Sequence, residues 1–245
     1  MKILRLYTRL PPLPGGMENH IAQLTKEQIS LGHEVSIYFN KGNKVTSSDV
    51  QVSRIPFYKI KPQFIGVLIF YFLVYLKLAS NNQKFDLVHI HGDWSSLIFS
   101  KLIKKIVGAK KLIMSIHDEL SSSFFSKKAL SVLIGNVNMV FASGHKLASQ
   151  LKEIGAQNVI VQPSGIKNIF FKGHKRVFDK KSFQVIIASN LVKKKNLGVV
   201  LDVAKDLPLL NFVVAGDGPE KQYLMDRIKY ENIVNVQMLG NKMPD

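Results

Sequence analysis

Apolar residues in this chain fall into short continuous runs, separated by stretches in which they recur every three or four positions. The first run, Ile3 to Tyr7, gives way to Pro11, Pro12, Pro14, Gly15 and Gly16, and then to Glu18 to Leu31, which has helical spacing and stops at Gly32. That is the pattern of strand, loop and helix. Further strands are predicted at Val35 to Phe39, Val52 to Ile55 (weaker), Asp86 to Ile90, Lys111 to Ile116 and Met139 to Ala142, with helical stretches between most of them. Short apolar strands alternating with amphipathic helices predict an α/β fold, a parallel sheet covered on both faces. Ligands of such sheets bind at the loops that follow the carboxyl ends of the strands, so chemistry is expected there.

The same unit then begins again. Strands are predicted at Gln184 to Ala188, Phe212 to Ala215 and Val234 to Leu239, with helices at Leu197 to Lys205 and Lys221 to Lys229. The stretch from Pro163 to Lys181 carries Gly165, Gly173 and several lysines, a composition suited to an exposed connection. The expected division is a domain at 1–167, a linker at 168–182 and a second domain at 183–245. The second has about three strands where an open α/β domain usually has five or six, so it reads as incomplete.

Composition adds an electrostatic signature. The 34 basic and 17 acidic residues give a net charge of +17. Residues 1–172 hold 22 basic and 9 acidic residues, net +13, so the excess lies in the first part. Such a field attracts anionic lipid, anionic substrate or nucleic acid without choosing among them. There is no cysteine, which excludes a disulfide scaffold and thiolate metal sites. The apolar stretch at the N-terminus is too brief for a signal-peptide core. A cytoplasmic protein, peripheral on the inner face of the membrane, is the expectation.

Several motifs, taken in order, carry a resemblance. They are Pro12-Leu13-Pro14-Gly15-Gly16-Met17-Glu18-Asn19-His20, Leu31-Gly32-His33-Glu34-Val35, Asp86-Leu87-Val88-His89-Ile90-His91, Ser115-Ile116-His117-Asp118 and Ala215-Gly216-Asp217-Gly218-Pro219-Glu220. Together they resemble the retaining glycosyltransferases of the GT-B architecture, the large group often called family 4, over nearly the whole chain. The resemblance implies two Rossmann-like parallel-sheet domains, the second incomplete. It also implies transfer of a sugar from a nucleotide-sugar donor to a saccharide or lipid-linked acceptor in surface polysaccharide synthesis, lipopolysaccharide or capsule, with no cofactor and no essential metal.

Each candidate residue has a plain structural alternative. Gly15 and Gly16 permit positive φ and close approach, so their N–H groups and the following helix end could face a donor diphosphate; a tight turn is the bland reading. His117 ends a strand, and the resemblance places it against the transferred sugar; Asp118 beside it could orient the imidazole and face the acceptor, or the pair could instead start a helix as a capped turn. His91 ends a strand in the same way, whereas His89 reads as a hydrogen-bonded core residue. Glu18 and His20 would face the acceptor or simply begin the helix. In the second domain the resemblance assigns the donor to Asn190, Lys195, Gly216 and Gly218. Asn190 stands where the family has an arginine, replacing a charged bidentate fork by a neutral amide, and Ser164-Gly165-Ile166-Lys167 departs from the family's Asn-Gly-x-Asp pattern. The family's paired-glutamate motif would fall beyond Asp245, which implies impaired donor binding and a truncated chain or one completed by a partner chain.

Phe64 to Leu76 is a nearly continuous apolar and aromatic run between Lys59, Lys61 and Lys77. Its 13 residues are fewer than the roughly 20 that cross a bilayer. It is read as an interfacial helix against an anionic membrane surface, with an internal helix as the alternative. Two other function classes stay open: a catalytically inert acceptor-binding or regulatory subunit, and a basic nucleic-acid-binding protein. The second lacks a recognition motif or aromatics interleaved with basic residues, so no nucleic-acid partner is expected.

Overall fold

The computed structural model describes residues 1–11, 13, 15–42, 50–55, 63–117, 127–163, 165 and 183–242. Two compact units divide the chain, Met1–Asn168 and Ile169–Asp245.

In the first unit, strands β1 (Lys2–Leu6), β2 (Glu34–Phe39), β3 (Val50–Arg54), β4 (Leu87–His91), β5 (Lys111–Ile116), β6 (Met139–Ala142) and β7 (Val159–Val161) form one sheet. All of its pairings are parallel. Their order is β3-β2-β1-β4-β5-β6-β7, with helices α1 (Gly16–Ser30), α2 (Gln63–Asn81), α3 (Ser100–Ile106), α4 (Lys127–Ile134) and α5 (His145–Glu153) in the connections. The order reverses between β1 and β4. A crevice opens at such a switch point, because the connections leaving the two strands run in opposite directions.

Alternation along the strands decides what each face buries. Leu4 and Leu6 of β1 and Val88 and Ile90 of β4 join Phe70, Tyr71, Val74 and Leu78 of α2 in the larger core. Ile3, Val35, Ile37 and Phe39 pack with Ile21 of α1 in a smaller one. The face that carries Ile3 also carries Arg5, and β4 places His89 and His91 opposite Val88 and Ile90. The α1 side of the sheet is therefore polar near the switch point, and these groups are buried all the same.

Helix α2 departs from expectation. It runs 19 residues, past the end of the apolar run and through Ser80, to stop before Asn82 at φ 51°, where an asparagine tolerates the left-handed region. The stretch Phe64–Asn81 is long and apolar enough to cross a membrane by length and composition, which corrects the shorter estimate from the sequence. Lys77, read as a basic flank, lies over the Tyr38 ring at 5.7 Å; Lys59 and Lys61 lie outside the described residues. Strand β7, three residues long and followed by a Gln-Pro pair, went unread because it is too short to show a period.

The second unit contains β8 (Gln184–Ala188), α6 (Gly198–Asp206), β9 (Asn211–Ala215), α7 (Lys221–Tyr230) and β10 (Val236–Gly240), in a three-stranded parallel sheet of order β10-β9-β8. Val185, Ile187, Phe212, Val214, Val236 and Met238 pack with Leu201, Ala204 and Leu224 of its helices. The opposite sheet face is largely open: Ile186 is 60% and Leu239 38% exposed. Among the described residues β8 pairs on one side only.

Candidate active site

At the switch point a cavity of about 310 Å³ is lined by residues that follow β1 (Tyr7, Thr8, Arg9), begin α1 (Met17, Glu18), end or follow β4 (His91, then Gly92 and Asp93) and follow β5 (His117), closed from the side by Val67 and Tyr71 of α2 and by Ser96. A second cavity of about 270 Å³ at the amino ends of the strands, around Lys2, Glu34, Gln51 and Lys84, has no histidine in its lining.

Four imidazoles converge here. The rings of His20 and His117 are 5.6 Å apart, those of His20 and His91 6.3 Å, and those of His89 and His91 4.1 Å. His89 Nε2 is 2.9 Å from Ser115 Oγ, as a hydrogen-bonded core histidine should be. His91 differs. It is 1% exposed, and neither ring nitrogen has a hydrogen-bond partner among the described residues. Two unsatisfied nitrogens on a buried ring carry a desolvation cost that a ligand in the cavity would relieve. The main-chain carbonyl of His117 accepts from Ser143 Oγ at 3.3 Å, which ties the end of β5 to the end of β6.

Beneath the imidazoles lies Arg5, fully buried in register with His89. Its guanidinium donates to Thr25 Oγ1 and Gln28 Oε1 of α1, and its Nε has no partner among the described residues. Burial lowers its pKa to about 10. Desolvation, joined by the charge of Arg5, holds His20 below the ordinary value of 6.5. Burial, with Arg5 and the neighbouring histidines, holds His89 and His91 well below it. Neutral rings can donate from one nitrogen and accept at the other, as a sugar hydroxyl requires.

These shifts fix a pH dependence. Because the folded pKa values of His89 and His91 lie below the unfolded one, the unfolded chain takes up protons first as pH falls through about 6.5. The first unit is expected to keep its full stability above that pH and to lose it progressively below. Urea unfolding at pH 8, 6 and 5 should show the midpoint falling, and His91→Asn should flatten the decline; a pH-independent midpoint would contradict the assignment.

The other predicted residues are placed as follows. Gly15 is the residue before α1 and Gly16 its first residue. A Cβ on Gly15 would sit 1.9 Å from Glu18 Oε2, so the glycine makes room for that carboxylate. Glu18 is buried and paired with Arg9 at 2.7 Å. The start of the helix, expected to present amides to a donor phosphate, thus has an internal carboxylate beside it, and an acid in the first turn of a helix is favourable there. Asp118 lies outside the described residues. Asn190 lies in the loop after β8, and Lys195 ends a short 3-10 helix, Lys193–Lys195. A Cβ on Gly216 would lie 1.8 Å from the Ser189 carbonyl oxygen, and one on Gly218 2.4 Å from that of Leu191. Both glycines therefore let the loops after β8 and β9 touch.

Arg9, Tyr71 and Asp93 escaped the sequence reading. Arg9 sits in a loop read for its glycines, and Tyr71 is hidden inside an apolar run. Asp93 did leave a signal: it precedes Trp94-Ser95-Ser96 and caps that turn, accepting from Ser95 N–H at 2.9 Å.

Comparison with known proteins fits this geometry. Residues 14–167 match Glycosyltransferase Family 4, and residues 169–245 match Glycosyl transferases group 1. The chain belongs to Glycosyltransferase Family 4. This family-4 chain is 24% identical over 251 residues to the phosphatidylinositol N-acetylglucosaminyltransferase gpi3 subunit of Schizosaccharomyces pombe, covering 96% of this chain and 55% of that protein. It is 25% identical over 247 residues to a human phosphatidylinositol N-acetylglucosaminyltransferase subunit, covering 94% and 51%. The chain thus spans about half the length of the curated relatives it matches. Among solved structures, Anabaena HepE in complex with UDP and glucose superposes with a TM-score of 0.69 at 18% identity, over 99% of this chain and 70% of that one. A glycosyltransferase from Rickettsia africae gives 0.71 at 18%, over 98% and 68%. The GT-B fold of this family-4 chain, two Rossmann-like parallel sheets, is the one expected from its sequence. The lipopolysaccharide and capsule setting finds no counterpart in the names of the curated relatives, which give phosphatidylinositol instead.

Proposed function

We propose that this chain carries the acceptor-side domain and part of the donor-side domain of a glycosyltransferase that moves a sugar from a nucleotide sugar onto a hydroxyl of a lipid-linked acceptor. The observation that carries this reading is the cavity at the switch point, where the unpartnered ring of His91 meets His117, Glu18, Arg9 and Asp93. A hydroxyl entering there would satisfy one ring nitrogen of His91, donating to it or accepting from it according to the tautomer. His117, as the group nearest the transferred sugar, would orient it by hydrogen bonding without forming a covalent bond. His20, Glu18 and Asp93 would order the remaining hydroxyls, Glu18 being held by Arg9. The phosphatidylinositol in the relatives' names supports a lipid acceptor.

In the second unit, Lys195 would hold the leaving diphosphate beside the loop at Gly216 to Gly218, an electrostatic contribution that grows as charge develops on it. Asn190 supplies an amide where resemblance calls for a guanidinium. Transfer with retention of configuration and without a metal belongs to the same proposal. The relatives are named as subunits, which supports a partner chain.

Calorimetric titration with a panel of nucleotide sugars tests the reading. Saturable binding is expected, and Lys195→Ala should weaken it about tenfold, the loss of one charge-assisted contact. Unchanged affinity would remove Lys195 from the donor site. Asn190 favours a second reading, an inert acceptor-binding protein, for which no nucleotide sugar would bind.

A further inference from the structure

Arg5 occupies a position that sheet packing ordinarily gives to an apolar side chain. It lies in β1 between Ile37 of β2 and His89 of β4, in register with both, and is fully buried. A guanidinium taken out of water is costly unless an acid faces it. Among the described residues none is paired with it: Glu18, the buried carboxylate of α1, is bonded to Arg9. Burial is what lowers the pKa of Arg5 itself. A methionine would fill the same space at less cost, so stability does not explain the charge.

Its contacts point elsewhere. One terminal nitrogen of the guanidinium donates to Thr25 Oγ1, which in turn donates to the Ile21 carbonyl at 2.7 Å, and the other donates to Gln28 Oε1. Glu18, Ile21, Thr25 and Gln28 follow one another at spacings of three, four and three, and so share the inner face of α1. An apolar contact at Ile21 sets how far the helix lies from the sheet but lets it turn and slide. A planar fork on two acceptors one turn apart stops both movements. Glu18 lies two turns before Thr25, and His20 follows it, so the same fork sets where these two side chains stand at the cavity.

We propose that Arg5 is a positioning residue of the acceptor site, fixing the start of α1 through Thr25 and Gln28 and standing as a permanent positive charge beneath the imidazoles. The titratable groups around it are His20 and the Glu18–Arg9 pair from α1 and its preceding loop, His89 and His91 from β4, and His117 after β5, with Tyr71 of α2 across the cavity. Such a charge opposes protonation of the rings; His20 is held below 6.5 by burial first and by Arg5 second. An acceptor hydroxyl then meets rings of one protonation state on a helix of one register. Only this last step rests on the reading proposed above.

Arg5→Met in the full chain, without ligand, is the test. It strands no buried group, since Thr25 keeps its bond to Ile21 and Gln28 is only part-buried. Its urea midpoint at pH 8 should therefore equal or exceed that of the parent. Titration followed by histidine NMR should show His20 of the parent taking its proton below pH 6.5, almost unaffected by salt because the charge beneath it is buried. In Arg5→Met the same ring should bind its proton about tenfold more tightly, as expected when one charge in a poorly screened interior is removed. The nuclear Overhauser contact between His20 and His117, whose ring centroids are 5.6 Å apart, should be present in the parent and lost in Arg5→Met. Gln28→Ala removes one acceptor of the fork and keeps the charge, so it should weaken that contact and leave the titration near that of the parent. Unfolding of Arg5→Met, an unchanged His20 titration or an unchanged ring contact would each overturn the proposal and leave Arg5 a core residue. Failure of the parent to bind any nucleotide sugar would remove the transferase reading and leave the effect of Arg5 on the rings standing.

Discussion

Replacing Gly216 by alanine is expected to unfold the second unit. A Cβ there would lie 1.8 Å from the carbonyl oxygen of Ser189, and that oxygen is main chain, with nowhere to rotate. The loops it joins are closed by hydrogen bonds from Ser189 N–H to Ala215 O at 3.0 Å, Leu191 N–H to Asp217 O at 2.9 Å and Glu220 N–H to Leu191 O at 3.0 Å. The residue also sits at φ 152°, which a side chain rarely adopts. Separating the loops breaks these bonds together, so the cost should exceed about 3 kcal/mol, a large fraction of what a small unit possesses. Limited proteolysis should show residues after 183 digested in Gly216→Ala and resistant in the parent chain. A variant that resists as well as the parent would mean that the two loops separate at little cost.

The second large effect is expected at Tyr71. This ring is fully buried between the sheet and the cavity and packs edge-on against Phe70 at 5.3 Å. Burial raises its phenol well above the usual tyrosine value, an effect partly offset by Ser96. Tyr71→Ala should cost about 3–5 kcal/mol through lost transfer energy and the void left behind, seen as a lower urea midpoint. Tyr71→Phe keeps the ring and removes only the hydroxyl, so its midpoint should stay near that of the parent. Equal losses in the two variants would assign the effect to the hydroxyl instead of the ring.

The strands were legible wherever burial on both faces made a run continuous. Lys111–Ile116, Met139–Ala142 and Gln184–Ala188 coincide with the structure residue for residue, and the other predicted strands agree within about two residues. What failed did so for identifiable reasons. Strand β7 is too short to carry a period. The end of α2 was misplaced because apolarity stops before the helix does, the helix being ended by the backbone at Asn82. That His91 and His117 line the cavity was legible because a parallel sheet opens at its strand ends, and Glu18 because it starts the helix after the first strand. Arg5 was not: it occupies an ordinary strand position, and its influence on the imidazoles depends on a register with β4 that only the fold supplies. Nor could the sequence show that Gly15 accommodates Glu18, since the contact is made by a side chain folding back over its own helix start.

The three-stranded sheet of the second unit bears on how the protein behaves in bulk. One face exposes Ile186 and Leu239, and β8 has an unpaired edge among the described residues. An open edge beside an apolar face is a template on which another strand can add. The positive charge that would keep copies apart is weaker in this part, with 12 basic and 8 acidic residues after residue 172. Self-association in concentrated solution would therefore start at β8, and salt would promote it by screening the repulsion that remains.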